Sequence, residues 1–284
     1  MPALDVMAVQ RAFDAAAQSY DDHAVLQHEV AERLLSRLSY LKVEPRVILD
    51  IGAGTGQPTS KLMKRYPAAY MLALDLSPRM LQKTRKQGRL FRRPAVICGH
   101  SQQLPVADKS VDMVFSSLSL QWCDRPELAF AEIRRVLKPD GVLLFSTFGP
   151  DTLKELRSSW AAVDNGQHVH TFMDMHDLGD FIVQAGLQEP VMEREEITLT
   201  YSRVRDVMRD LKYIGASNAL HGRSRGLLGR RKFGQLETAY ETWRRDGRLP
   251  ASYEVVYGTA WSGRTERNGM ATIAVDMIGK RPRA

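Results

Sequence analysis

One stretch, Val47-Ile48-Leu49-Asp50-Ile51-Gly52-Ala53-Gly54-Thr55-Gly56, constrains this chain more than any other. A short apolar run feeds directly into three glycines at alternate positions. Glycine adopts positive φ freely and lacks a Cβ, so such a loop turns tightly and lets a ligand approach the backbone. The spacing is G-x-G-x-G, which differs from the G-x-G-x-x-G of dinucleotide folds. No Gly-Lys-Ser/Thr follows, so it is not a Walker loop. The next apolar run ends in Asp75, 19 residues after Gly56. A carboxylate at that place can accept both hydroxyls of a ribose.

Four more apolar runs recur along the chain: Tyr70–Leu74, Ala95–Cys98, Val111–Ser116 and Val142–Thr147. Short apolar runs bounded by Gly, Pro and Asp read as buried parallel strands. Helical patterns separate them. Ser77–Gly88 has an N-cap serine, Pro78 at the first helical position and a glycine stop. Pro126–Leu137 is followed by Lys138-Pro139-Asp140-Gly141, which reads as a turn. Residues 5–41 read as helix, with Leu26, Val30, Leu34 and Leu38 on one stripe. Beyond Thr147, helices are expected over Thr152–Val163 and Met175–Ala185, and strands over Glu193–Tyr201 and Ser252–Trp261. Residues 202–248 read as mostly helical. The pattern predicts an α/β fold: a doubly wound, mostly parallel seven-stranded sheet. A helical insertion between the last two strands would cover a ligand pocket. The expected organisation is a helical cap over 1–41, a main domain over 42–261 with a lid at about 202–248, and a tail or extra strand over 262–284.

Several classes are excluded. With 44% hydrophobic and 26% charged residues, the chain is neither disordered nor fibrous. Its 284 residues bury enough surface to fold without staples, and two cysteines, Cys98 and Cys123, make no disulfide scaffold. The longest stretch free of Asp, Glu, Lys and Arg, 94–107, spans 14 residues, short of the ~18–20 of a membrane helix. The N-terminus carries Asp5, Asp14, Asp21 and Asp22 and no apolar signal region, so a cytoplasmic location is expected. The formal charge is +7, concentrated in two patches. Arg79–Arg93 holds seven basic and no acidic residues, and Arg223–Arg248 holds eight basic residues against Glu237, Glu241 and Asp246. Such patches suit an anionic partner or a plainly solvated surface.

The glycine loop and its surroundings resemble the class I S-adenosylmethionine-dependent methyltransferases. Five concordant features carry the resemblance: Asp50 before the loop, Asp75 at the second strand end, Leu104-Pro105, Val111-Asp112-Met113-Val114, and Leu137-Lys138-Pro139-Asp140-Gly141. The resemblance implies S-adenosyl-L-methionine as cofactor. Asp50, Gly52, Gly54 and Gly56 would serve its methionine and ribose portions, Asp75 the ribose hydroxyls, and Leu76 the adenine face. Leu118, after the fourth strand, completes the set. The family often has an acidic residue after the third strand; here His100, Ser101 and Gln102 stand there. Neutral His100 or the Gln102 carbonyl could then accept from the adenine amino group.

The acceptor class must come from elsewhere. The Asn/Asp-Pro-Pro-aromatic element of base N-methyltransferases is missing, since Ser116–Trp122 reads Ser-Ser-Leu-Ser-Leu-Gln-Trp. Nucleic acid is therefore not expected as substrate. Nearly the whole chain resembles the malonyl-acyl-carrier-protein O-methyltransferases of biotin synthesis. The resemblance rests on Ala12-Phe13-Asp14, Ser19-Tyr20-Asp21, Thr147–Leu156, Asp174–Asp180, Asp210–Ala219 and Leu249–Tyr257. It implies methylation of the free carboxylate of malonyl on acyl carrier protein or coenzyme A. Complex I assembly factors with an arginine-hydroxylase role share several of these elements and are the alternative, with an RNA methyltransferase or a non-catalytic cofactor module behind them.

A malonyl carboxylate is ionised at neutral pH, so no general base is needed and no catalytic base is expected. A cation could position it. On a helix at ~100° per residue, Arg205, Arg209 and Lys212 fall together beside the apolar face of Val204–Ile214. Arg209 and Lys212, with Tyr20 from the N-terminal segment, are the substrate-positioning candidates. His168, His170, Asp174 and His176 crowd into nine residues, but their spacing matches no zinc motif, and no metal is expected.

Overall fold

In the computed structural model, which describes residues 4–88, 92–216, 218–219 and 229–263, the apolar runs form one seven-stranded sheet. The strands are β1 Val47–Ile51, β2 Tyr70–Asp75, β3 Ala95–Cys98, β4 Val111–Ser117, β5 Leu137–Phe148, β6 Gln188–Tyr201 and β7 Leu249–Trp261. Their spatial order is β3-β2-β1-β4-β5-β7-β6. Strands β1 to β5 pair in parallel, whereas β7 runs antiparallel to both β5 and β6. The α/β class and the seven strands match the sequence reading. The strand order reverses between β1 and β4, and in such sheets ligands bind beyond the carboxyl ends of the strands at that point.

The helices are α1 Val6–Ala16, α2 Tyr20–His23, α3 Val25–Arg37, α4 Gln57–Arg65, α5 Pro78–Thr84, α6 Pro126–Val136, α7 Lys154–Ala161, α8 Met175–Gln184, α9 Val204–Tyr213 and α10 Arg230–Glu241. Central β4 and β5 bury side chains on both faces, as sandwiched parallel strands must. On one face, Leu26, Val30, Leu34 and Leu38 pack over Met113, Phe115 and Leu144. On the other, Phe130, Ile133 and Ile182 pack over Val114, Leu143 and Phe145. The edge strand β6 is held by cations of α3: Arg37 reaches Glu193 at 2.7 Å and Arg33 pairs with Glu195.

Two expectations are corrected. Residues 5–41 form three helices instead of one, because the chain breaks at Ala17–Ser19 and at Ala24 to bend over the glycine loop. Ser19 Oγ donates to the carbonyls of Ala16 and Tyr213 at that break, a tertiary contact that overrides local propensity. The Lys138–Gly141 segment is a bulge inside β5 and not a separate turn. Val111 pairs with Leu137 and Met113 with Val142, so the intervening residues loop out, with Asp140 at φ 62°. In chain order, helices α9 and α10 fall between β6 and β7, which pair directly in the sheet. The expected tail lies outside the described residues from 264 onward.

Candidate active site

The glycine loop crosses from β1 to α4 at the carboxyl edge of the sheet. The N–H groups of Gly52 and Ala53 both donate to the Leu74 carbonyl, at 2.7 and 3.0 Å, which pins the loop to β2. All three glycines have positive φ, but each for a different reason. A Cβ on Gly52 would meet Ser119 Oγ at 2.1 Å, and one on Gly56 would meet Gln87 and Thr84 within 3 Å. These two glycines admit neighbouring chain. A Cβ on Gly54, at φ 57°, meets nothing within 4 Å. It would project into open space, which is what close approach of a ligand requires.

Asp75 sits beside that opening. Its Oδ2 accepts from Gly54 N–H and its Oδ1 from Ser77 N–H, both at 2.8 Å. Burial nonetheless pushes its carboxyl up to about 6, because desolvation outweighs those two donors. Each oxygen keeps lone-pair capacity for a hydroxyl. Asp50 lies deeper, 1% exposed, and accepts from Thr59 Oγ1 at 2.6 Å. Burial raises its carboxyl to about 7. It supports the loop from below and does not line the cleft.

The cleft is a cavity of about 660 Å³ walled by Gly52, Gly54, Asp75, Leu76, His100, Ser101 and Leu118, among others. Seven residues predicted for the cofactor thus converge. Asp50, Gly56 and Gln102 do not reach its wall. Gln102 Nε2 donates to Asp124 at 2.7 Å and to the Arg125 carbonyl, away from the cleft. His100 Nδ1 accepts from Gln102 N–H at 3.2 Å, and burial keeps the ring neutral, so its proton is on Nε2. With Nδ1 accepting and Nε2 protonated, the ring's one acceptor position is already used by Gln102. A diol acceptor, an open backbone cradle and apolar walls from Leu76 and Leu118 suit S-adenosylmethionine.

The N-terminal helices close over this cleft. Ser77 Oγ donates to Asp14 at 2.5 Å, Thr55 Oγ1 donates to Asp21 at 2.6 Å, and Gln10 Nε2 donates to the Leu76 carbonyl at 3.0 Å. Tyr20, at the start of α2, is thereby fixed between two spaces. It lines the cleft and also a second cavity of about 740 Å³. Phe13, Leu118 and Trp122 are shared in the same way. Leu118 holds φ 47°, in the left-handed region, at the junction. Such strain is concentrated where function requires a side chain held against local preference. Burial, with Asp75 and Asp21 nearby, pushes the Tyr20 hydroxyl well above its usual range, so it remains a neutral donor.

The second cavity is mostly apolar, with Phe148, Leu156, Phe172, Leu211 and Ile214 in its wall. Neither Arg209 nor Lys212 lines it. The face of α9 that packs inward runs through Val204, Val207, Leu211 and Ile214, and Arg209 lies diametrically opposite at ~100° per residue. Arg209 is exposed and bonds Asp206 at 2.7 Å on its own helix. Lys212 is exposed too. The four metal-like residues do not converge on one point: His168 bonds Asp164, His170 reaches the Thr171 carbonyl, and only His176 and Asp174 bond each other. Among the described residues no group of three such ligands forms. Sequence reasoning passed over Ser117, Ser119 and Cys123, which also wall the cleft; no motif marks them.

Residues 49–145 match the family described as "Methyltransferase domain". A Laribacter hongkongensis protein is 52% identical over 265 residues, covering 90% of this chain and 89% of its own. One from Halorhodospira halophila is 50% identical over 260 residues, covering 91% and 88%. Both are named malonyl-[acyl-carrier protein] O-methyltransferase. Among solved structures, a Bacillus halodurans protein described as a methyltransferase superposes with a TM-score of 0.58 at 17% identity, over 82% of this chain and 98% of its own. That likeness concerns the fold alone. Relatives about half identical over nine tenths of both chains, together with the glycine loop and its adjoining carboxylate, lead to one assignment: this chain belongs to the malonyl-[acyl-carrier protein] O-methyltransferase family.

Proposed function

We propose that this chain transfers a methyl group from S-adenosylmethionine to the free carboxylate of a malonyl thioester carried on acyl carrier protein. The product is the malonyl methyl ester that primes pimeloyl synthesis for biotin, and the enzyme works in the cytoplasm. No helix among the described residues is long and apolar enough to cross a membrane. The observation that supports the reading best is the adjacency of two cavities that share Phe13, Tyr20, Leu118 and Trp122. One is polar enough for a nucleoside, the other apolar enough for an acyl arm.

When bound, S-adenosylmethionine supplies a methyl group activated by the sulfonium charge. Asp75 accepts the ribose hydroxyls, and the missing Cβ of Gly54 leaves room for them. Leu118 and Tyr20 stand at the junction where acceptor oxygen, methyl and sulfur must align, and alignment is the main catalytic contribution. Opposite charges neutralise as the bond forms, so a dry junction favours transfer. Phe13 and Trp122, edge to face at 5.4 Å, exclude water there. Residues 1–41 act as the cap, 42–261 as the transferase domain, and about 202–248 as the lid over the acyl side. The test offers the purified chain malonyl and acetyl carrier protein with S-adenosylmethionine and reads mass spectra. A methyl added to malonyl carrier alone supports the reading; methylation of neither, or of both, refutes it.

A further inference from the structure

The acyl-side cavity poses an electrostatic problem. A malonyl carboxylate entering it leaves water for an apolar surround, and burying an uncompensated charge is costly. Among the described residues no lysine, arginine, aspartate or glutamate lines this cavity. Its titratable walls are Tyr20, Tyr253, His168 and His170. Burial pushes both tyrosine hydroxyls up, so they stay neutral. His168 is stacked on Trp160 at 3.8 Å and held by Asp164 at 2.6 Å, a carboxylate that Lys232 also bonds.

His170 differs. It is 9% exposed, edge-on to Trp122 and stacked on Phe172. Its Nδ1 faces the Thr171 carbonyl at 3.3 Å, and a carbonyl only accepts, so Nδ1 carries the ring proton. Its Nε2 is buried and has no hydrogen-bond partner among the described residues. An orphaned buried nitrogen is rare and asks for an occupant.

We propose that His170 recognises the free carboxylate of the acceptor, by taking a proton on Nε2 as the substrate binds and donating it to the carboxylate oxygen that does not attack. This rests on the malonyl reading above. Burial holds the imidazole below the usual histidine range, so it is neutral before substrate arrives. The incoming anion favours the imidazolium, and the proton comes from solvent. The attacking oxygen then forms its bond to the methyl carbon, and the electron pair of the broken carbon–sulfur bond stays on sulfur. The ester is neutral, so the imidazolium loses its partner and returns its proton to water. The same group thus selects a free acid over a neutral acyl chain and weakens its hold on the product.

The test uses the malonyl and acetyl thioesters of pantetheine with the full chain. Calorimetric titration of the wild type in two buffers of different ionisation enthalpy counts protons. Uptake approaching one proton per malonyl at pH 8, and none per acetyl, is expected. His170→Phe should raise the KM for malonyl thioester about 10- to 100-fold, the loss of a hydrogen bond to a charged group, while its S-adenosylhomocysteine affinity is unchanged and reports a folded site. His170→Gln, which donates without titrating, should recover part of that affinity and lose the rise of wild-type KM with pH. Malonyl binding without proton uptake overturns the proposal, as does a His170→Phe variant with wild-type KM. If either occurs while the wild type still methylates malonyl carrier, the malonyl reading stands and only the histidine role falls. A wild type that leaves malonyl unmethylated overturns both.

Discussion

Gly54→Ala tests whether Gly54, unlike Gly52, is a glycine kept for the ligand and not for the fold. At φ 57° an alanine pays backbone strain of about 1–2 kcal/mol, but its Cβ meets no protein atom within 4 Å. For a chain of this size that strain lowers Tm by roughly 2–8 °C, so the variant should still fold. The Cβ projects into the cleft beside Asp75, where crowding a well-fitted group costs about 1–3 kcal/mol. S-adenosylhomocysteine affinity should therefore fall roughly 5- to 150-fold. Gly52→Ala should do the reverse. Its Cβ would overlap Ser119 Oγ at 2.1 Å, backed by that residue's own Cβ at 2.3 Å, so folding suffers first. Thermal melts and calorimetric titration of the two variants make the comparison. A folded Gly54→Ala protein that binds S-adenosylhomocysteine with native affinity would refute the placement of the ligand against the loop.

Asp75→Ala should weaken S-adenosylmethionine binding by about 1–3 kcal/mol, read by calorimetry, because the diol loses a charged acceptor. In the wild type that acceptor is ionised above its value of about 6, so affinity should be level from pH 7 to 8 and fall as pH drops below 6. An affinity flat down to pH 5 would contradict this. Asp50→Asn should stabilise the protein at pH 8, by on the order of 2–4 kcal/mol, and make little difference at pH 4. The folded carboxyl titrates near 7 against 3.8 in a model compound, so the folded state binds the extra proton between those values and stability declines as pH rises through them. Chemical denaturation at both pH values checks the sign. Arg230→Glu with Arg231→Glu, on the exposed start of α10, should raise the KM for malonyl carrier several-fold and barely alter that for a small malonyl thioester. An effect that appears instead on reversing Arg92 and Arg93 would move the docking face to the other patch.

The parallel half of the sheet was readable because strands buried on both faces are written as short, mostly apolar runs, as in Val111–Ser116 and Val142–Thr147. The cleft was readable because Gly54 and Asp75 serve one place from two adjacent strand ends. The breaks in the N-terminal helix were not. No Gly or Pro marks Ala17–Ser19 or Ala24; the chain bends there because Asp14 and Asp21 reach Ser77 and Thr55 from far away in sequence. Periodicity grouped Val207, Leu211 and Ile214 on one face of α9 correctly, but it could not say that the cavity lies behind that face and the cations away from it. Gly56 looked like a ligand glycine and packs on Thr84. The place of His170 was not legible either: in sequence it lies among His168, Asp174 and His176, whereas its surroundings in space are Trp122 and Phe172.

The most direct test follows the methyl group itself. Full-length protein is given malonyl carrier protein with the malonyl carboxyl carbon labelled with carbon-13, and S-adenosylmethionine labelled with carbon-13 in its methyl group, and heteronuclear NMR is recorded during turnover. The account predicts one new signal at the position of an ester O-methyl, coupled through oxygen to the labelled carboxyl carbon, and its loss on mild alkaline hydrolysis. A label that arrives on nitrogen or on the malonyl methylene carbon, or that never leaves S-adenosylmethionine, would contradict it.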